Sequence, residues 1–468
     1  MPLPPKNVGG TPAEKYLSQL CEKSFLSLWS YPNPFRNQGD VKAGGDGKEL
    51  CDLLVVFDEH VIIFSSKHCE YPDKDDELLN WSRWYKRAVD SAADQLYGAE
   101  RWLKRYPGRL FLDKACQHPF PVPIPLSADM KVHRIVVAHG ASERCQEVLG
   151  GTGSLMLDTS VIGSAHYDTK KYEVQPFVLG QVDASKGFVH VFDDASLAAV
   201  MMELDTISDF VDYLQKKERF LTMPNKEVFA AGEDDLLAYY LQNTNEDDEH
   251  DFVISDQDAT SLMLEEGIWE DFINGSQWKA KKVADRISYI WDKIINTVTE
   301  YLVAGTLRHG ERHTFHETES SLRVLARESR LARRMLGRWF DEMVVKSTLH
   351  KHSARIVNSA LQPRVYYVYF LFPFDYKGDL EEQRQIRETA LMAYCMVAKL
   401  LFFGQANVIL GIASEAGGRK DVSSFDLILY DALDWDEGEK EEAERLHNAG
   451  FFKMHRRNEG HEDEYPES

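Results

Sequence analysis

Between residues 13 and 29 the apolar positions Tyr16, Leu17, Leu20, Cys21, Phe25, Leu26 and Leu28 return every three to four residues, which predicts an amphipathic helix. Tyr31-Pro-Asn-Pro-Phe is expected to stop it, since proline disfavours the helical conformation of the residue before it. Residues 37–47, rich in Gly and Asp, read as a loop. Two dense runs of β-branched and aromatic residues follow, 50–57 and 61–65. The short polar break Asp58-Glu59-His60 between them marks a β-hairpin. A long helix is predicted over 78–105, ended by Tyr106-Pro-Gly, and strands over 110–112, 132–138, 177–182 and 188–192.

From about 194 to 351 the spacing is largely helical, interrupted by an acidic run at 245–251 that reads as an exposed loop. Beyond Pro363 the pattern alternates: strand 365–372, helix 380–403, strands 407–413 and 425–430, helix 437–447. The expected organisation is an α/β N-terminal domain over 12–200, a mainly helical region over 201–355 and a small C-terminal α/β unit over 360–450. No internal repeat is visible. The polar last dozen residues are expected to fray.

With 468 residues and 43% hydrophobic content there is material for two or three domain cores. The formal net charge of -22, from 76 acidic and 54 basic residues, opposes contact with phosphate polymers, so nucleic-acid binding would have to rest on local basic faces. Six scattered cysteines without a CxxC pair argue for a reducing compartment and against structural zinc. No leader pattern and no apolar run of about 18 residues is seen, so the expectation is a cytoplasmic protein without a membrane partner.

The hairpin carries the candidate chemistry. Asp52 opens its first strand and Lys67 closes its second, in Asp52-Leu-Leu-Val-Val-Phe-Asp-Glu-His-Val-Ile-Ile-Phe-Ser65-Ser66-Lys67. Folding the hairpin brings the two ends to one sheet edge. There a carboxylate can hold Mg²⁺ through hard oxygens and a lysine can position or help deprotonate an attacking water. Glu22 on the first helix and Gln95 on the helix after Lys67 complete an ordered set. In that order the four residues resemble the PD-(D/E)XK nuclease superfamily, in particular its Mrr-like and NERD-like branches, over the N-terminal part of the chain.

The resemblance implies a restriction-endonuclease-like fold and a catalytic set of Asp52, Lys67, Gln95 and Glu22. It also implies Mg²⁺ or Mn²⁺ held by Asp52 and Glu22, phosphodiester hydrolysis of DNA or RNA, and a role in bacterial defence against phage or foreign DNA. The chain departs from the family at Ser65, where an acidic residue is usual. Either Glu22, Glu49 or the Ser66 carbonyl makes up the coordination, or cleavage has been lost and binding kept. Glu49 could reach the edge only through a bend in the chain, and Glu14 rivals Glu22. His68 is read as incidental. Asp52 as a strand-end residue satisfied by backbone amides, Lys67 as a solvated lysine and Gln95 as a helix-surface residue are the plainer alternatives.

Two basic faces stand out. The helix after Lys67 carries Arg83, Lys86, Arg87, Arg101, Lys104 and Arg105 among Trp81, Trp84, Tyr85 and Trp102. This is either a phosphate-contacting surface or a helix with its aromatics in the core and its charges in water. Further on, Arg323, Arg327, Arg330, Arg334 and Arg338 repeat at helical spacing beside an apolar stripe of Leu322, Leu325, Ser329, Ala332, Leu336 and Trp339. Those arginines either bind nucleic acid, or pair with the acidic run near Asp247–Asp251, or contact a protein partner or a second copy. Leu149-Gly-Gly-Thr-Gly-Ser lacks the residues of a phosphate loop, and Glu415-Ala-Gly-Gly-Arg-Lys reads as a basic turn. His309, His313 and His316 lack a carboxylate to complete a metal pattern. The expectation is a metal-dependent nuclease; the alternatives are a catalytically degenerate scaffold for nucleic acid or protein, and a hydrolase of nucleotides.

Overall fold

The structure is a computed structural model and describes residues 4, 6–39, 47–256, 258–305, 315–348, 351–373, 380–416, 424–453, 460 and 462–466. It divides into two compact units, Pro4–Gly275 and a second from Ser276 onward. The division falls inside the segment that the pattern groups as one helical region. Among the described residues no helix is long and apolar enough to cross a membrane.

The first unit is built on a five-stranded mixed sheet in the order β1 (Ser30–Pro32), β2 (Leu53–Phe57), β3 (His60–His68), β4 (Lys131–His139) and β5 (Val189–Phe192). The β1–β2 and β2–β3 pairs are antiparallel; β3–β4 and β4–β5 are parallel. β2 is buried at every position, as its unbroken Leu-Leu-Val-Val-Phe demands of a strand covered on both faces. β3 begins in the same way, but its last residues, Ser66-Lys67-His68, emerge from the core. Polar chemistry is therefore confined to one end of the hairpin.

Helix α1 (Pro12–Phe25) covers one face of this sheet, where Phe25 meets Phe64 of β3 with ring centroids 6.4 Å apart. Thr11 and Glu14 form a capping box at its start. Thr11 Oγ1 accepts from Glu14 N at 3.2 Å, and the Glu14 carboxylate reaches back to Gly10 N at 2.7 Å. The helix stops at Phe25, where Leu26 turns to a φ of 65°, rather than at the Tyr31-Pro pair. Leu28 and Trp29 are buried because the chain dives beneath the sheet edge, with Trp29 edge-on to Phe57 at 5.0 Å. Residues 30–32 then become the edge strand, a place where Pro32 removes no interior ladder bond.

The opposite face is covered by the predicted long helix, seen as α2 (Glu77–Tyr85), a π turn at Lys86–Asp90 and α3 (Ser91–Arg105). Trp81, Trp84 and Tyr85 are buried, whereas Arg83, Lys86, Arg87, Arg101, Lys104 and Arg105 are exposed. The aromatics therefore serve the core and only the charges face water. A second sheet of this unit orders Ser261–Leu264, Glu227–Ala230, Met156–Ile162 and Val178–Gln181. Of its strands only the last is legible in the hydrophobic pattern; Met156–Ile162 is half-polar and half-exposed, and the other two are four residues long.

The second unit contains a four-stranded sheet, β6 (Ser353–Asn358), β7 (Val365–Phe372), β8 (Val408–Glu415) and β9 (Asp426–Asp431), paired antiparallel, parallel, antiparallel. The parallel step is bridged by the helix Leu380–Leu401, whose Leu391, Tyr394, Cys395 and Ala398 pack with Val368, Phe370, Ile409 and Ile428. Every predicted element of 360–450 is present to within about three residues; β6 is an addition to it. The molecule is thus mixed α/β, with several mixed sheets flanked by helices.

Candidate active site

Asp52 immediately precedes β2 and is fixed by the hairpin. Its N–H donates to Phe64 O at 3.1 Å, and its Oδ2 accepts from Ser66 N at 2.5 Å. One residue further along β3 is Lys67, whose positive charge acts on the Asp52 carboxyl. Glu49 does reach this edge. Residues 48–49 pair in a small three-stranded sheet with Phe35–Arg36, and the chain then bends through Leu50 and Cys51 into the main sheet. The Glu49 and Asp52 carboxyl groups are close enough to act on each other. The Asn33 amide bridges Glu49 Oε1 and Glu14 Oε2, at 3.1 Å to each.

Burial raises the Asp52 carboxyl above the usual range, opposed by the Lys67 charge and the Ser66 N–H and reinforced by Glu14. Burial also raises Glu49, opposed by the Asn33 amide and reinforced by Asp52 and Glu14. Glu14 moves the other way. Burial, the largest single influence, raises it, but hydrogen bonds from Gly10, Asn33 and Thr11 together hold it below the carboxylate range. The edge thus gathers three carboxyls, with Asp52 and Glu49 raised and Glu14 lowered.

Asp52 and Lys67 are brought together as the hairpin predicts. Gln95 joins them indirectly, accepting at Oε1 a 3.2 Å bond from Ser65 Oγ. Glu22 does not join. It is exposed and acts on Lys6 and Cys21, whereas the leading charges on Asp52 are those of Lys67 and Glu14. The acid that α1 contributes is Glu14, eight residues earlier and so about 12 Å along the helix axis. The Thr11-x-x-Glu14 capping box was the available signal for it. Ser65, at the position of the family's acid, is 2% exposed with its hydroxyl directed to Gln95.

Among the described residues no three His, Cys, Asp or Glu side chains converge as a ready-made metal site. Mg²⁺ requires less, because it commonly takes one or two carboxylates and keeps several waters. The Asp52–Glu49 pair, a set of hard-oxygen donors, fits that demand.

The arginine stripe is turned inward within its own unit. Arg330 Nη1 lies 2.8 Å from Asp292 Oδ2, and Arg334 is fully buried, 3.2 Å from Asp285 and 3.0 Å from Glu462. Arg323 pairs with Glu319 at 2.6 Å, and Arg338, the most exposed of the set described here, with Glu462 at 2.6 Å. Arg327 is partly buried. A phosphate-gripping role for Arg330 and Arg334 is excluded by burial, and the acidic partners of these two are Asp285, Asp292 and Glu462 rather than the run at 245–251. His309 and His313, residues 40–46 of the Gly/Asp loop and residues 417–420 of the basic turn lie outside the described residues.

One arrangement has no counterpart in the sequence reading. Ser66 Oγ lies 3.0 Å from His139 Nε2, and His139 Nδ1 lies 2.5 Å from Asp194 Oδ1; Asp194 Oδ2 accepts from Gly140 N at 2.9 Å. Separations of 73 and 55 residues give no spacing motif, and His139 falls one residue past the strand predicted over 132–138. His68, set aside as incidental, sits beside this set, its ring 6.0 Å from that of His139. No family model, curated protein or solved structure matches this chain.

Proposed function

We propose that the first unit is a Mg²⁺-dependent phosphodiesterase of nucleic acids, built on a restriction-endonuclease-like frame. The observation that carries the reading is the Asp52–Glu49 carboxyl pair beside Lys67, at the exposed end of an antiparallel hairpin. The order helix, antiparallel hairpin, covering helix and parallel strand, with Asp52, Lys67 and Gln95 in sequence, supports the frame. Mg²⁺ or Mn²⁺ would be held by Asp52 and Glu49, where it would supply charge neutralisation for a phosphate and an acidified water.

The chain's own residues divide the remaining work. Lys67 places an ammonium beside Asp52, where it can bind a phosphate oxygen or orient the water for in-line attack. Glu14 and Asn33 fix Glu49 from behind. Gln95 holds the Ser65 hydroxyl, so the strand end is tied to α3. Arg83, Lys86 and Arg87 give an acidic chain a local surface for backbone phosphates. Arg87 is anchored to Glu70 O at 3.1 Å, three residues past Lys67.

The test is incubation with single- and double-stranded DNA and RNA in Mg²⁺ or Mn²⁺, beside Asp52→Ala and Lys67→Ala. Cleavage by the natural chain, reduced at least about 100-fold in each variant, is expected. Cleavage unchanged in both variants would sink the assignment. A specific observation favours a second reading, a nuclease frame kept as a binding scaffold: Ser65 supplies no carboxylate, and among the described residues no third acid completes a metal-holding group with the pair. Binding without cleavage in either metal would select it.

A further inference from the structure

We infer that Ser66, His139 and Asp194 form a second, metal-independent centre in which Ser66 is an activated nucleophile for ester hydrolysis. The three residues stand in the relation that nucleophilic catalysis by serine requires. The hydroxyl is within hydrogen-bond reach of an imidazole nitrogen, at 3.0 Å, and the other ring nitrogen is held by a carboxylate, at 2.5 Å. Asp194 is itself aimed by Gly140 N at 2.9 Å, and the His139 carbonyl accepts from the buried Trp84 indole at 3.1 Å, so the relay is set on fixed groups.

A second, independent observation is position. Ser66 lies in the last turn of residues of β3, His139 ends β4, and Asp194 follows β5 by two residues. These strands are parallel neighbours, so the residues meet at the carboxyl ends of three parallel strands, the edge at which open α/β sheets place their ligands. The edge is accessible: Ser66 is part-exposed and the Asp194 side chain is 43% exposed. Consecutive strand residues point to opposite faces, so Ser66 leaves the sheet on the side opposite Ser65 and Lys67. The Ser66 hydroxyl is therefore directed away from Lys67, although the Ser66 N–H holds Asp52, and the inference does not rest on the function proposed above.

In the reaction Ser66 Oγ attacks the carbonyl carbon of an ester as its proton passes to His139 Nε2. The bond from that carbon to the alcohol oxygen breaks, and the alcohol leaves with the proton. Water then attacks the acylated Ser66, giving its proton to His139, which returns it to Ser66 Oγ as the carboxylic acid departs. Asp194 is a positioning residue, holding the imidazole in the tautomer that accepts at Nε2.

The probe is an alkyl fluorophosphonate on the full chain, in EDTA and in Mg²⁺. The Ser66 Oγ–P bond forms, the P–F bond breaks, fluoride leaves and the proton goes to His139. Equal labelling in both conditions, mapped to Ser66, absent in Ser66→Ala and slowed at least about 100-fold in His139→Ala, is expected. Asp194→Asn, which lies outside the core, should label at least tenfold more slowly and Asp194→Glu should recover. No labelling above that of Ser66→Ala, or labelling that requires Mg²⁺, overturns the proposal. Equal loss in Asn and Glu at 194 overturns the role of Asp194. Cleavage of nucleic acid by Ser66→Ala is read separately, so failure here leaves the phosphodiesterase reading standing, and the reverse.

Discussion

Burial raises both the Asp52 and the Glu49 carboxyl, and at Asp52 it outweighs the Lys67 charge. A carboxyl with a raised folded-state value binds more protons folded than unfolded, so this pair weakens the fold as pH rises through the carboxylate range. Asp52→Asn keeps an oxygen that can accept from Ser66 N and removes one buried charge. Its melting temperature at pH 7 without metal should be unchanged or higher by about 2–4 °C, while Mg²⁺ binding by calorimetry disappears. A lower melting temperature with binding retained would contradict the account. Elsewhere in the unit Lys217 and Glu233 form an ion pair of 2.5 Å with each side chain 2% exposed, and Tyr213 donates to Glu233 at 2.7 Å. Lys217→Met strands that carboxylate, and denaturant unfolding should show a loss of about 3–5 kcal/mol.

Among the elements, α1 has a double task. Its capping box begins the helix and the same Glu14 carboxylate takes the Asn33 amide that also holds Glu49. Thr11→Ala should cost about 1 kcal/mol of stability and also weaken Mg²⁺ binding, although Thr11 lies three contacts from the proposed ligand Glu49. Metal affinity identical to that of the natural chain would separate cap from site. The hairpin was readable because its two apolar runs and polar turn are local, and the C-terminal alternation for the same reason. The Ser66–His139–Asp194 set was not, because three strand ends assemble it across 73 and 55 residues. The arginine stripe was visible as spacing, but periodicity does not tell whether a stripe faces water or Asp285 and Asp292. Glu22 looked the better acid only because helix position, not spacing, decides which Glu meets Asn33.

At the scale of the molecule, the first unit buries three histidines in the neutral state. Burial lowers His133 to about 3 and His166 to about 4, and drives His190 well below its ordinary range. A histidine whose folded value is depressed gives stability that is present above the unfolded value and lost as pH falls through it, because only the unfolded chain takes up the proton. Between pH 7 and pH 5 each should remove about 2 kcal/mol, so the first unit is expected to be acid-labile, with His133→Phe or His190→Phe blunting the loss. Thermal unfolding at the two pH values, followed by the fluorescence of the buried Trp81 and Trp84, checks it; a pH-independent transition would refute it.

The strand β3 presents Ser65 and Lys67 to one side and Ser66 to the other, while its apolar half is buried on both sides. Apolar burial therefore does little to fix its register, and a slip of one residue would leave the core almost as well filled. What sets the register is the two-residue turn at Asp58-Glu59, with Asp58 at a φ of 52°. Inserting a single residue into that turn should give a protein that still folds and melts cooperatively, yet with the inside and outside of its chemistry exchanged. Neither metal-dependent cleavage nor fluorophosphonate labelling should survive it.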